Sequence, residues 1–292
     1  MIASMEAKWR WIAVTAVAPI AWGSTYYVTK QFLPADAPLW GAAIRALPAG
    51  LLLLFLARKL PKGEWWWRSV VLGLLNFSGF FVLIYLSALL LPSSVAASVM
   101  ALAPLAMAGT GWAMINERPT IWMGAGAAVG ILGVLLIVGT GAAAINPWGL
   151  LTSISALVMS SVGAVLNKKW TAGVPVLAAT AWQATAGGGL LLIAALIVEG
   201  PLPTVGPLGW AAFAYLSLFA TALASVCWFA GLAELPAGTV GIVGLLNPVT
   251  GVLLGTLLAA EQLSWLQAGG IALVLIAILV GRRTVRVQQL HD

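Results

Sequence analysis

From Trp9 to Val280 the chain is one apolar run after another, each of about 20 residues, the length that carries a helix across a bilayer. The breaks between runs are too short to fold by themselves. In hydrocarbon a helix can satisfy its own backbone hydrogen bonds, whereas an open strand cannot. The chain therefore reads as an all-α integral membrane protein. Only 8% of its 292 residues are charged and 62% are hydrophobic, so Gly, Pro and the few charges delimit the spans better than hydropathy peaks do. They predict ten transmembrane helices, at 9–29, 37–57, 69–91, 93–115, 121–139, 148–167, 176–198, 209–232, 237–260 and 265–280. Met1 to Lys8 is short and polar and no convincing cleavage site follows, so the first run is expected to be retained as a helix.

Connections such as Leu91-Pro92-Ser93 and Asn116-Glu117-Arg118-Pro119 leave no room for an extramembrane domain. Function must sit in the bundle. With ten spans, Lys8, Arg10, Arg58, Lys59, Lys62, Arg68, Arg118, Lys168, Lys169, Arg282, Arg283 and Arg286 fall on the side of both termini, and Lys30 falls opposite. By the positive-inside rule both termini are cytoplasmic, and the protein is a multi-pass component of the inner (plasma) membrane. Membrane orientation accounts for the net charge of +6, and no nucleic-acid partner is expected. Trp65-Trp66-Trp67 and Trp148 fit an interfacial aromatic belt.

Pro92, Pro104 and Glu117 recur with identical spacing as Pro236, Pro248 and Glu261. Leu39-Trp40, followed by a Gly-Leu run, is echoed by Ala181-Trp182 and Gly187-Gly188-Gly189-Leu190. One duplicated unit of five helices accounts for both: residues 1–140 form the first repeat, 148–281 the second, and 282–292 a basic cytoplasmic tail. Because five is odd, the units enter the membrane in opposite directions, an arrangement suited to alternating access.

The stretch Ala21-Trp22-Gly23-Ser24-Thr25-Tyr26, Arg45 in the second helix, the doubled Pro…Pro…Glu pattern and the Gly-rich fifth and tenth helices together resemble the drug/metabolite transporter superfamily, EamA branch. Within that branch the chain looks most like YddG-type exporters of aromatic amino acids. The resemblance spans almost the whole chain. It implies ten helices around a central cavity and alternating access between two halves.

Ionisable residues inside a membrane are costly and so are the first functional candidates. Arg45 lies roughly 10 Å inside its helix by the rise per residue, where it could snorkel outward or face the cavity and bind a carboxylate. Glu117 and Glu261, at helix ends, read as end-fixing or gate-latching groups. No carboxylate falls near the midplane, so transport without a carboxylate proton relay is expected. Candidate cavity residues are then aromatic, small or neutral polar ones: Trp22 and Tyr26, Asn76 and Phe80, Ser98 and Met100, Trp182 and Gln183, and Asn247. For each, packing in a helix interface or against lipid is the competing reading. Pro104 and Pro248 remove a backbone donor in mid-helix and are candidate hinges. Gly126, Gly130, Gly251, Gly255, Gly269 and Gly270 would let helices approach closely.

With Cys227 the one cysteine and His291 the one histidine, no intramolecular disulfide and no His/Cys metal site can form, and no cofactor is expected. Enzyme chemistry lacks its usual residues within the spans. The reading is a secondary transporter exporting small amphipathic solutes, amino acids above all, with aromatic and hydrophobic ones foremost. The substrate is neutral or zwitterionic, and the protein works as a monomer or homodimer. The alternatives are a drug, sugar or other metabolite carrier of the same superfamily and, more distantly, a channel or a non-transporting scaffold.

Overall fold

The computed structural model describes residues 2–32, 37–91, 96, 99–138, 146–258 and 264–281, with the side chains of 2–5, 7, 26, 30, 88, 255 and 258 outside that description. The described residues are helical almost throughout. In chain order the segments are α1 (Ile2–Phe32), α2 (Pro38–Ala57), α3 (Trp65–Gly73), α4 (Gly79–Leu90), α5 (Ala103–Ile115), α6 (Ile121–Val138) and α7 (Pro147–Trp170). They continue as α8 (Val176–Val198), α9 (Pro207–Ser217), α10 (Ala224–Glu234), α11 (Ala237–Gly244), α12 (Leu246–Leu258) and α13 (Trp265–Gly281). Two π-helical turns, Leu74–Ser78 and Leu218–Leu223, join α3 to α4 and α9 to α10 without ending the helix.

Among the described residues, seven stretches are long and apolar enough to cross a membrane: 38–57, 65–87, 121–138, 147–170, 176–198, 207–234 and 237–254. Trp265–Gly281 is apolar but shorter. The fourth span expected from the sequence falls partly on residues 92–95 and 97–98, and the ninth ends in 259–263, all outside the described residues. Large apolar side chains such as Phe55, Ile121, Ile197, Leu208 and Leu257 stand exposed around the bundle. Lipid is the solvent that suits such a surface.

Local chemistry sets the helix ends. Pro38 opens α2 with its fixed φ, and the carboxylate of Glu199 accepts the next two free amides, from Leu39 at 2.8 Å and Trp40 at 2.9 Å. Asn146 caps α7 through its side chain, ahead of Pro147. Asn116 ends α5 in the left-handed region, with the amide of Glu117 reaching back to Gly111.

Proline also explains where a predicted helix is interrupted. Ala101 and Leu102 form a turn before α5, with Pro104 the second residue of that helix; Leu245 forms a turn before α12, with Pro248 its third. In both turns the helical bonding tightens to three residues, from Leu102 to Val99 and from Leu245 to Ile242. A proline has no amide to offer the preceding turn, so the ladder is weakest there.

In the interior α2 lies along α8, α6 along α13, α1 against α10 and α12, α4 against α7, and α5 against α11. Small residues permit the closest crossings. A methyl group at Gly50 would strike the backbone of Ala184 and Thr185, and one at Gly188 the backbone of Leu47. Gly133 and Gly270 bring α6 and α13 together, each facing the other's carbonyl. Gly126 and Gly130 lie in the same interface, whereas Gly269 faces open space.

One end of the bundle holds Lys59, Arg68, Lys168 and Lys169. There the Trp182 indole donates to the Lys59 carbonyl at 2.7 Å, Lys169 reaches the Met114 carbonyl at 3.3 Å, and Arg68 lies over the rings of Trp65, Trp67 and Trp170. At the far ends of α2 and α8, Trp40 makes the matching indole bond to the Gly200 carbonyl at 3.1 Å. Antiparallel α2 and α8 are thus clasped at both ends by a tryptophan.

Candidate functional site

A π turn widens the helix by one residue and displaces carbonyls from their usual acceptor line. The turn at Leu218–Leu223 uses this to receive donors from two other helices. The Trp22 indole of α1 donates to the Ala220 carbonyl at 3.0 Å, and Nη2 of Arg45 on α2 donates to the same oxygen at 3.4 Å. Nε of Arg45 donates to the Thr221 hydroxyl at 3.1 Å. The guanidinium lies over the Phe81 ring, 5.0 Å from its centroid, a cation–π contact. Trp22 packs against Trp228 with centroids 5.1 Å apart, and Ser24 shares a 2.7 Å hydrogen bond with the Tyr215 hydroxyl. Helices α1 and α2 thus meet on this turn, with Phe81 of α4 against the Arg45 guanidinium and Trp228 of α10 against Trp22.

The other π turn, Leu74–Ser78, carries Asn76 at its centre. Its amide donates to Gln183 Oε1 at 2.8 Å and to the Gly163 carbonyl at 3.3 Å, and Gln183 in turn donates to Asn167 Oδ1 at 2.8 Å. Gln183 and Asn167 are fully or almost fully buried. This chain of amides ties α7 and α8 to the second turn, and each of its three residues makes a hydrogen bond, as burial in an apolar bundle favours.

The residues singled out from the sequence fall into distinct places. Trp22 and Arg45 share the Ala220 carbonyl, and Phe80 packs at a tilt against the Phe81 that carries the guanidinium, 5.8 Å between centroids. Asn247, the second residue of α12, lies beside Gly23, whose Cα faces the Asn247 carbonyl. Asn76 and Gln183 bond each other. Trp182, in contrast, is buried in the clasp with Lys59 and against Trp65, away from this group. Met100 is half-buried just before the turn that precedes Pro104, which is itself buried. Glu117 caps α11 and pairs with Lys168. Ser98 and Glu261 lie outside the described residues, as does the side chain of Tyr26.

Sequence reasoning missed Thr221, Tyr215, Trp228 and Asn167. Asn167 was readable as a helix-end residue beside Lys168-Lys169, and nothing local marks it as the end of a buried amide chain. The acceptor of Arg45 is a backbone carbonyl exposed by a π turn, for which the run Leu218-Phe219-Ala220-Thr221 carries no signal.

Comparison with known proteins finds the EamA-like transporter family model matching residues 9–139 and again 147–281. The chain is 38% identical over 266 residues to Protein PecM of Dickeya dadantii, covering 90% of this chain and 89% of that one. It is 31% identical over 273 residues to the uncharacterized inner membrane transporter YedA of Escherichia coli K12, covering 90% and 88%. A solved crystal structure superposes with a TM-score of 0.81 over 97% of this chain and 99% of that one at 22% identity, a likeness of fold.

Proposed function

The chain belongs to the EamA-like transporter family and is a multi-pass membrane transporter; from that premise we propose that it exports small amphipathic solutes, chiefly aromatic and hydrophobic amino acids and related metabolites. The observation that carries this reading is the Trp22–Arg45–Phe81–Trp228 group. Four helices meet there on rings that suit an apolar body and on a few fixed polar groups that suit one charged or polar end.

The mechanism proposed is alternating access between inverted five-helix repeats, 1–140 and 148–281, with both termini in the cytoplasm. Several features support it. Exchanging the repeats carries the α2–α8 and α6–α13 contacts onto themselves and the α1–α10 contact onto α7–α4. The family model matches once in each half. Lys59, Arg68, Lys168 and Lys169, at one end of the bundle, suit a cytoplasmic face. Movement would pivot at the interrupted helices before Pro104 and Pro248, with Glu117 latching the cytoplasmic end and Glu261 acting at the opposite face.

Transport proceeds without a carboxylate proton relay. In support, the described carboxylates Glu6, Glu64, Glu117, Glu199 and Glu234 lie near helix ends, where each can be hydrated or paired.

Cells producing the protein test the reading. They should tolerate a toxic fluorinated phenylalanine better than cells carrying the empty vector, and should release labelled phenylalanine faster after loading with a phenylalanine dipeptide. Equal tolerance and equal release would remove amino-acid export and turn the search to drugs, sugars and other metabolites.

A further inference from the structure

The two halves of the chain differ where α5 meets α6. The spacing that relates Pro104 to Pro248 and Glu117 to Glu261 also relates Gly126 to Gly270, and their contacts agree. Gly126 meets Ala277 and Gly281 across the α6–α13 interface, and Gly270 meets Gly133 and Ile137, which stand at that same spacing from them. It pairs Gly109 with Leu253, Gly124 with Ala268, Arg118 with Gln262 and Thr239 with Val95. One half therefore lacks two side chains and gains a cation and a hydroxyl.

The structure brings these four residues to one place. Gly109 on α5 and Gly124 on α6 both face open space and line one groove, on whose walls Leu105 and Ile121 stand exposed, so its open side is toward lipid. The groove shares Ala108, Thr120 and Met123 with a recess that Arg118 and Thr239 line. Thr239 is 3% exposed, and its hydroxyl has no hydrogen-bond partner. A buried hydroxyl left unpaired is costly until something completes it.

Charge at the recess is positive. Arg118 is exposed and makes no ion pair among the described residues, whereas the acid beside it, Glu117, is held by Lys168 and by the Ala237 amide. Lys169 stands on the Met114 carbonyl in the last turn of α5, and α6 begins at Ile121, so the positive end of its dipole lies here too. A groove that is apolar along its length and cationic at its end suits an amphipathic anion. A second copy of this chain, with 14 basic residues against 8 acidic ones, is a poorer source of negative charge.

We propose that the groove and recess form a binding site for one anionic phospholipid. An acyl chain lies over Gly109 and Gly124, the phosphate pairs with Arg118, and a headgroup oxygen accepts from the Thr239 hydroxyl. In the other half Leu253 and Ala268 fill the seat of the chain and no cation awaits the phosphate. The inference rests on the chain lying in a bilayer and not on which solute it carries.

The test is native mass spectrometry of the purified protein given equal amounts of phosphatidylglycerol and phosphatidylcholine with the same acyl chains. The first lipid bound to the wild type should be phosphatidylglycerol, preferred by about fivefold or more, the effect of one basic residue near an anionic headgroup. Arg118→Gln, which copies the other half, should bring that preference close to unity. Gly109→Leu with Gly124→Leu keeps every charge and projects both side chains into open space, so the fold is retained; it should lower bound phosphatidylglycerol about 10-fold. Inorganic phosphate in excess should displace none of it. A preference that survives Arg118→Gln, or lipid that stays bound in the leucine pair, would overturn the proposal. Displacement by inorganic phosphate would do so by showing an anion site without a lipid, and so would a dimer that the leucine pair dissociates, for then a second copy fills the groove.

Discussion

The ammonium of Lys168 lies between the carboxylate of Glu117 and the backbone carbonyl of Leu235, which it reaches at 2.7 Å. The other oxygen of the carboxylate accepts the Ala237 amide at 2.9 Å, at the start of α11. One ion pair thereby joins the end of α5, the end of α7 and the bend between α10 and α11. These meet at the end of the bundle that holds Lys59, Arg68 and Lys169, so any opening there must break the pair.

Lys168→Ala should consequently loosen that end. With Cys227→Ala as background and Thr239→Cys as a probe just inside the bend, a hydrophilic thiol reagent should react about 10-fold faster in the Lys168 variant. That factor corresponds to about 1.4 kcal/mol, modest because both partners are partly exposed. Glu117→Gln should give a similar gain, since it leaves Lys168 without its counter-ion. Unchanged labelling in both variants would contradict a latch.

The amide chain Asn76–Gln183–Asn167 should act as a unit. Gln183→Leu strands polar groups on both neighbours, at a cost of about 2 kcal/mol or more. Thermal unfolding in detergent should show a clear fall in Tm. Replacing all three by leucine should cost less than the three single changes added together, because no orphan then remains. Simple additivity would mean that the residues are not coupled.

The glycines of the α6–α13 interface give a sharper contrast. Gly133→Ala places a methyl group against the Gly270 carbonyl and should destabilise by about 1 to 3 kcal/mol. Gly269→Ala points into open space and should be neutral or slightly stabilising, since alanine is the better helix former. Equal melting temperatures for the two variants would mean that α6 and α13 do not cross at Gly133.

Much of this arrangement is legible in the sequence because it follows from solvent. A chain this apolar must be helical in a membrane; turns precede α5 and α12 next to Pro104 and Pro248, whereas Pro19 and Pro48 lie inside unbroken helices. The Glu117 end of the Pro…Pro…Glu spacing pointed to a helix-fixing carboxylate, and Glu117 does cap α11. Less legible was everything decided by contact between distant segments. Trp22 and Trp182 look alike as deep tryptophans in apolar helices, yet one joins the central group and the other clasps α2 to α8. That difference depends on which carbonyl each indole meets, Ala220 or Lys59, and both acceptors are backbone atoms. The π turns are equally silent, since any apolar run can form one and only its packing decides.

The most direct test of the account is uptake of radiolabelled phenylalanine into liposomes containing the purified protein, with a pH difference imposed or absent. The account predicts saturable uptake that reaches the same level in both conditions, as expected of a carrier without a carboxylate relay. Accumulation driven by the pH difference, or no saturable uptake of any hydrophobic amino acid, would contradict it.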